Sequence, residues 1–430
     1  IRAALILCME RADVVIVGAG AAGLMTAIWT ARTCALNGSA SRIVIIDGAK
    51  KIGAKILVAG GGRCNVTHHQ VLPKDYAGGS RNTIKKVLKA WTAKDTIQFF
   101  EELGVELKEE DTGKMFPVSD SSKTVLNSLL NECARLGVEV IHPWRVKSVE
   151  HIGDEFIVRS IDDEIVTQRV VLATGGLALP KTGSDGAGYG FAKSLGHSVT
   201  ERVEPALVPM VTTSASSWIT ELSGIAARVN IEVQLGSGKR LVLFTNDLLC
   251  THFGLSGPAA LDVSRWYFDA KKDDPKTKLV INWLGDGIGF EKLDQQLLDV
   301  GKQSIGVYLR SQIPDRLGKM LCQRCGIDPS SPGHGISREQ RRALVHMLIS
   351  CEVEIAGNRG FTFAEVTAGG VPLDEVQVST MQSRVCDGLW VVGEILDVDG
   401  RIGGFNFQWA WANGFIAGKS LAESIQSIES

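Results

Sequence analysis

At 430 residues, with 44% hydrophobic and 22% charged residues, the chain is too long for one core and reads as a globular protein of two or three domains. A formal net charge of -2 argues against electrostatic capture by nucleic acid or an anionic membrane surface. No apolar run approaches the ~20 residues of a membrane helix, and nine cysteines, an odd number scattered along the chain, fit a reducing cytoplasm better than a disulfide framework.

Ala3 to Met9 is too short for a secretory signal and lacks a cleavage site. Because Met9 stands just before the first strand, residues 1–8 read as an upstream-translated remnant. The apolar strand Asp13 to Val17 runs into Gly18-Ala19-Gly20-Ala21-Ala22-Gly23, which opens a helix ending near Cys34. A second strand, Arg42 to Ile46, ends in Asp47. This is the G-x-G-x-x-G dinucleotide fingerprint in its full context of strand, turn, helix, strand and acid. The first glycine allows the sharp turn, the second allows backbone to approach a pyrophosphate, and the third allows helix and strand to pack. The helix N-terminus offers unpaired N–H groups to the phosphates, and Asp47 offers its carboxylate to ribose hydroxyls.

Further along, Thr92-Ala93-Lys94-Asp95 is a capping box that opens a helix closed by Gly104. A helix from Ser122 to Leu136 leads to the strand Val138 to Ile141. The runs Arg145–His151, Glu155–Ser160 and Glu164–Val166 form a small antiparallel meander ahead of the buried strand Val170 to Ala173. After residue 200, Arg228 to Leu235 alternates apolar and polar and turns through Gly236–Lys239 into Arg240–Thr245, a hairpin of an antiparallel sheet or barrel. Lys278 to Leu284 is another strand. Phe290–Val300, Asp315–Cys325 and Ser337–Cys351 read as helices, the last with a Ser337-x-x-Gln340 capping box. From Ala364 the glycine-rich character returns, with a buried strand Leu389 to Val392 and a final helix capped by Asn406.

Four further stretches bear on chemistry. In Ala59-Gly60-Gly61-Gly62-Arg63-Cys64-Asn65, adjacent glycines can form an anion nest or allow flat approach to a ring, and Arg63 can neutralise a phosphate or carboxylate. Ala173-Thr174-Gly175-Gly176 and Gly393-Glu394 each end a buried strand, where ligands bind in open α/β sheets. In Asp399 to Gly414, glycines including Gly404 run up to a helix that begins Asn406-Phe407-Gln408. A helix N-terminus aimed at a reduced flavin would stabilise its negative charge. Trp409 and Trp411 are expected to pack into the sheet.

These residues closely resemble the YhiN/BaiN-type family of FAD-dependent flavoproteins, which includes aminoacetone-oxidase-like enzymes and a bile-acid-pathway reductase. The resemblance spans nearly the whole chain. Beyond the fingerprint and the Arg63-Cys64-Asn65 loop it rests on Phe116–Asp120, Thr251–Pro258, Val366–Val371 and Gly393–Gln408. It implies an α/β fold: a Rossmann-like FAD-binding domain from residues 1–200 and 363–430, a β-barrel-like substrate domain from 201–288 and 350–362, and a small helical domain at 289–349. It also implies that Val146 sits by the adenine. The chain departs from the family at Ala54, often basic, at Ala59, often Ser, and at Ala187, often Asp.

The expected activity is that of a cytoplasmic FAD-dependent oxidoreductase moving a hydride to or from a small organic substrate between the first domain and the barrel. No second fingerprint embedded after a strand is present, so NAD(P)H is expected only as a transient donor; an oxidase using dioxygen remains open. A flavin-dependent RNA-modifying protein and a non-catalytic FAD-binding redox partner are the alternatives, with no nucleic acid expected from the charge. Oligomeric state is left open, and no catalytic residue is assigned. His252 and Arg401 are substrate-facing candidates that read equally as structural or solvated residues. Cys64 reads as a buried packing residue, and Cys322-x-x-Cys325 as ordinary thiols, because no second pair stands at metal-binding spacing.

Overall fold

The computed structural model describes residues 10–285 and 287–429, so the remnant read at residues 1–8 lies outside it. Within the chain, contacts separate two compact units, Ile1–Glu204 with Val366–Ser430, and Pro205–Glu365.

The first unit is built on a seven-stranded sheet. Leu389–Val391, Val170–Leu172, Val14–Val17, Ile43–Ile46 and Glu139–Ile141 run parallel in that order. Val376–Gln377 and Gln382–Ser383 add an antiparallel edge. The central strands VVIV and IVII are buried on both faces, which is why they read as unbroken β-branched runs rather than alternating ones. Beside them lies a four-stranded sheet, in which the sequence-read meander pairs antiparallel as Ser148–Ile152, Glu155–Arg159 and Glu164–Thr167.

Two helices from opposite ends of the chain pack together in this unit. The fingerprint helix Ala21–Leu36 meets the C-terminal helix Phe405–Glu429 along Gly414 and Gly418. A Cβ on Gly414 would lie 2.8 Å from Ala22 O, and one on Gly418 would lie 2.7 Å from both Thr26 O and Trp29 Cβ. Only hydrogen fits at either crossing. Thr26 and Thr30 fold their hydroxyls back onto Ala22 O and Thr26 O of their own helix, both at 2.8 Å, which satisfies these two donors within the helix.

The second unit holds another seven-stranded sheet. Its order is Cys351–Val353, Lys278–Asn282, Ala226–Gln234, Arg240–Thr251, Gly254–Ser256, Met210–Thr212 and Ile355–Asn358, with antiparallel pairing throughout. Its two edge strands are separated in sequence by Glu354 alone. The helices Phe290–Asp299, Ile305–Arg310, Asp315–Arg324 and Arg338–Ile349 bury Leu293, Leu309, Leu317 and Leu344 in the same cluster as Val229, Ile231 and Ile281 of the sheet. The helix Gly257–Asp273, with Pro258 in its first turn, was not marked by the sequence patterns above.

The glycine crossing generates a direct expectation. Gly418→Ala should lower stability by about 1–3 kcal/mol, the usual cost of overpacking a tight contact. Urea unfolding of the purified protein measures the loss, and bound FAD, read by absorbance, should fall with it.

Candidate active site

At the fingerprint turn each glycine has a separate geometric reason. Gly18 sits at φ +114°, and a Cβ there would lie 2.4 Å from Ala173 O. A Cβ on Gly23 would lie 2.0 Å from Gly18 O. Gly20 differs, since a Cβ built on it meets nothing within 4 Å, and the space outside it is open. The helix that follows has no side-chain cap and no acid in its first turn, and its first internal bond runs from Leu24 N to Gly20 O at 3.0 Å. Its leading N–H groups thus border an open turn suited to a pyrophosphate. Asp47 closes the turn: Oδ2 accepts from Ala19 N at 2.8 Å and Oδ1 from Ala49 N at 2.7 Å. Each oxygen keeps a lone pair for a ribose hydroxyl.

The second glycine segment belongs to a short helix, Ala54–Gly62, which breaks where Gly60 and Gly61 turn left-handed. Arg63, expected to face an anionic ligand, instead lies over the Phe116 ring at 4.0 Å and pairs with Glu110 at 2.5 Å and Asp120 at 3.6 Å. Asn65 is buried. With its amide turned to satisfy every neighbour, it donates to Thr67 O at 2.8 Å and Met115 O at 3.2 Å and accepts from Gly404 N at 3.1 Å. Its side chain therefore pins the start of the C-terminal helix rather than reaching outward. Cys64 is wholly buried, and burial pushes its thiol up to about 12, in keeping with a packing residue.

Three motifs distant in sequence converge on Glu394. Its Oε1 accepts from Thr367 N at 3.0 Å, and its Oε2 pairs with Lys55 of the glycine-segment helix. Thr367 Oγ1 in turn accepts from Leu177 N at 2.7 Å and Ala178 N at 2.9 Å, just beyond Gly175-Gly176. Sequence reasoning noted the missing cation at Ala54 and overlooked Lys55 beside it. Gly393 N donates to Asn413 Oδ1 at 3.0 Å, which ties this turn to the C-terminal helix. Val146 is buried between Trp144, whose N–H donates to Asp47 O at 2.6 Å, and Lys147, whose N–H donates to Arg159 O at 2.7 Å.

The C-terminal helix begins at Phe405, so Asn406 is not its cap. Asn406 lies inside the first turn and holds Gly400, accepting from its N–H at 2.8 Å and donating to its carbonyl at 3.0 Å. A glycine-led start releases the asparagine from the capping role that its residue type suggested. Phe407 stacks on Trp411 at 5.6 Å. Gln408 is fully buried; its Oε1 accepts from Thr67 and Thr96 hydroxyls at 2.7 and 2.8 Å, and its Nε2 donates to Trp91 O at 3.1 Å. That side chain is a structural rivet and not a ligand group. Trp409 and Trp411 are both core residues, the latter donating to Val66 O at 2.9 Å. Asp399 is buried on the strand Val398–Gly400. The helix has no acid in its first turn, as a site for an anionic ring requires. Arg401 lies 3.6 Å from Asp75 Oδ1.

In the second unit, exposed His252 packs edge-on against Phe253. The guanidinium of Arg359 lies 4.5 Å from the Phe253 ring centroid and 3.5 Å from that of Phe363. No sequence signal singled out Arg359, since its two rings come from separate stretches. Cys322 and Cys325 are free thiols, pushed by burial to about 12 and about 11.

The open glycine turn, the acid at the second strand and the uncapped helix start fit a dinucleotide cofactor such as FAD. The sequence matches the family described as HI0933-like protein Rossmann domain over residues 12–420, and the chain belongs to it. It is 32% identical over 417 residues to the ribosomal RNA dihydrouridine synthase of Haemophilus influenzae, covering 96% of this chain and 99% of that one. It is 31% identical over 411 residues to the 3-dehydro-bile acid delta(4,6)-reductase of Clostridium scindens, covering 95% and 98%. The fold is similar to that of a 3-ketosteroid-delta4-(5alpha)-dehydrogenase from Rhodococcus jostii, with a TM-score of 0.52 and 15% identity over 98% of this chain and 99% of that one. The protein is thus an FAD-dependent oxidoreductase, and no helix among its described residues is long and apolar enough to cross a membrane.

Two glycine substitutions separate cofactor binding from folding. Gly20→Ala should leave apoprotein stability within about 0.5 kcal/mol yet weaken FAD retention, because the added methyl fills ligand space alone. Gly23→Ala should damage both, as its methyl meets backbone; thermal melts with and without FAD check the pair. Cys64 should resist iodoacetamide in the folded protein at about pH 8 and react only after denaturation, as its suppressed thiolate requires; mass spectrometry reads this.

Proposed function

We propose that this enzyme reduces a carbon–carbon double bond conjugated to a carbonyl, using NAD(P)H as the electron source. The observation that carries this reading is a chemistry common to its relatives. Forming dihydrouridine saturates the ring double bond next to a uracil carbonyl, and a delta(4,6)-reductase acting on a 3-dehydro bile acid saturates the corresponding bond of an enone. When bound, FAD would supply the two-electron relay between NAD(P)H and the substrate's β-carbon, with a proton going to the α-carbon.

The chain's own groups divide the remaining work. Backbone N–H groups beyond Gly20 and the carboxylate of Asp47 would hold the nucleotide, and the start of the helix at Phe405 would favour negative charge on the ring. The second unit acts as the substrate domain, its curled sheet forming a barrel-like body with the helices at 289–349 attached. There Arg359, kept flat by two rings, offers a fork of N–H donors to the substrate's carbonyl or anionic oxygens. His252, packed edge-on against the same Phe253 ring, is the candidate proton source. Cys64 takes no part as a nucleophile, since burial keeps its thiol protonated.

Anaerobic stopped-flow mixing with NADH and NADPH tests the reading. One of them should bleach the flavin band within the turnover time, and an added enone or uridine-containing substrate should restore it. A flavin that resists both nucleotides but is reduced by an amine and reoxidised by dioxygen would replace the reductase with an oxidase.

A further inference from the structure

The start of the C-terminal helix rests on a short strand, Thr67–His68. Gly403 and Gly404 turn left-handed there, at φ +123° and +90°, and a Cβ on Gly404 would lie 2.6 Å from Thr67 O. Three supports hold this turn: Thr67 backbone against Gly404, the Asn65 amide oxygen on Gly404 N at 3.1 Å, and the Tyr76 hydroxyl donating to Phe405 O at 2.8 Å. His68 is the fourth. Its ring stacks on Phe405 with centroids 4.9 Å apart and planes at 22°, and its Cδ2 lies 3.7 Å from where a Cβ on Gly403 would stand. His69 stacks on the same imidazole at 4.9 Å and 29°.

Hydrogen bonds fix the state of the His68 ring. A carbonyl only accepts, so Thr112 O, 2.9 Å from Nε2, requires a proton on Nε2. Gln70 N–H donates to Nδ1 at 3.2 Å, which requires Nδ1 to carry none. The ring is therefore the neutral Nε2–H tautomer, and a second proton would set two N–H groups against each other at Nδ1. Its charged and titratable neighbours are His69 on its own strand, Lys114 opposite in register, and Asp75. His69 Nδ1 lies 3.3 Å from Glu109, and Asp75 lies 3.6 Å from Arg401. Burial holds the His68 pKa below the usual imidazole value; the Thr112 carbonyl and Asp75 oppose that shift, and His69 adds to it. Of the four supports only His68 titrates near neutrality, since burial raises the Tyr76 phenol well above its usual value.

We propose that His68 is a positioning residue for the cofactor: as a neutral imidazole it holds the Gly403–Phe405 turn in the form that receives the ring, and its protonation releases that turn and weakens FAD binding. The inference deepens the reading above that the helix start at Phe405 faces the ring, and rests on it. A neutral form favoured by the folded protein is retained in full above the ordinary imidazole pKa of about 6.5 and lost as the pH falls below it.

Ultrafiltration with flavin absorbance gives the FAD dissociation constants of the parent, His68→Phe and His68→Gln between about pH 7.5 and about pH 5.5, where one linked proton changes affinity by at most about tenfold per pH unit. The parent constant should rise about fivefold to tenfold over that range, while both variants, checked for folding by circular dichroism, should move less than about twofold. Histidine-selective nitrogen NMR of the FAD-loaded protein, with the His68 signals assigned by their loss in His68→Phe, should show the Nε2–H tautomer at neutral pH. Variants that keep the parental pH dependence, or a charged or Nδ1–H ring at neutral pH, overturn the proposal. Hydrogen exchange of the apoprotein across residues 401–408, corrected for intrinsic rates, separates it from the reading beneath it. If neither exchange nor affinity in the parent responds to acid, the role of His68 falls. If exchange quickens in acid in the parent alone while FAD affinity stays constant, His68 governs the turn but the turn does not meet the ring, and the placement of the cofactor falls.

Discussion

The first unit depends on one contact, the crossing of the fingerprint helix and the C-terminal helix at Gly414 and Gly418. Backbone of one helix meets backbone of the other there, at a separation where any side chain would collide with Ala22 O, Thr26 O or Trp29. Such an approach gains dispersion contacts along both helices, and the threonine hydroxyls are satisfied by turning back on their own turns. It also fixes position. Gly393 lies close to Ala22, 3.0 Å from a would-be Cβ, and its N–H is held by Asn413 of the C-terminal helix. A cofactor cradle split between residues near 20 and residues near 400 is therefore assembled by helix packing and not by the loops themselves.

A buried polar network makes the cradle rigid. Thr67, Thr96 and the Trp91 carbonyl all meet the Gln408 amide, Asn65 joins Thr67 to Gly404, and the Trp411 indole reaches Val66. Each such bond contributes only about 1 kcal/mol net, but leaving one of these buried groups unmatched costs about 1–3 kcal/mol. The network is thus less a source of stability than a penalty on every other arrangement. It explains why Asn65 and Gln408, which look like ligand groups in a glycine-rich motif, spend their hydrogen bonds inside the protein. What they offer the cofactor is the placement of Gly404 and of the helix behind it.

Features set by local physics were legible in the sequence. The fingerprint turn, the capping boxes at Thr92 and Ser337, the meander and the hairpin near 236 each follow from residues within a few positions of one another. Features set by distant partners were not. Arg63 reads as a free cation until Glu110 and Phe116 are brought to it, and Asn406 reads as a cap until Gly400 claims its amide. Lys55 and Arg359 gave no local signal, since the groups that define them, Glu394 in one case and Phe253 in the other, lie 339 and 106 positions away. Gly414-x-x-x-Gly418 was visible as spacing, but its meaning required the helix it crosses.

Net charge is the clearest case of a sum that hides its parts. At physiological ionic strength the field of an exposed charge fades over about 8 Å. The local field at the helices between 300 and 349 is therefore set by Arg310, Arg316, Lys319 and Arg324 together with the nearby Asp315, and not by distant charges. A total of -2 excludes uniform attraction to polyanions and says nothing about a single segment such as residues 300–349, whose eight Lys/Arg and three Asp/Glu sum to +5. The physically relevant quantity is charge per Debye area, which only a folded surface defines, so a near-neutral composition is compatible with a locally basic segment in one molecule.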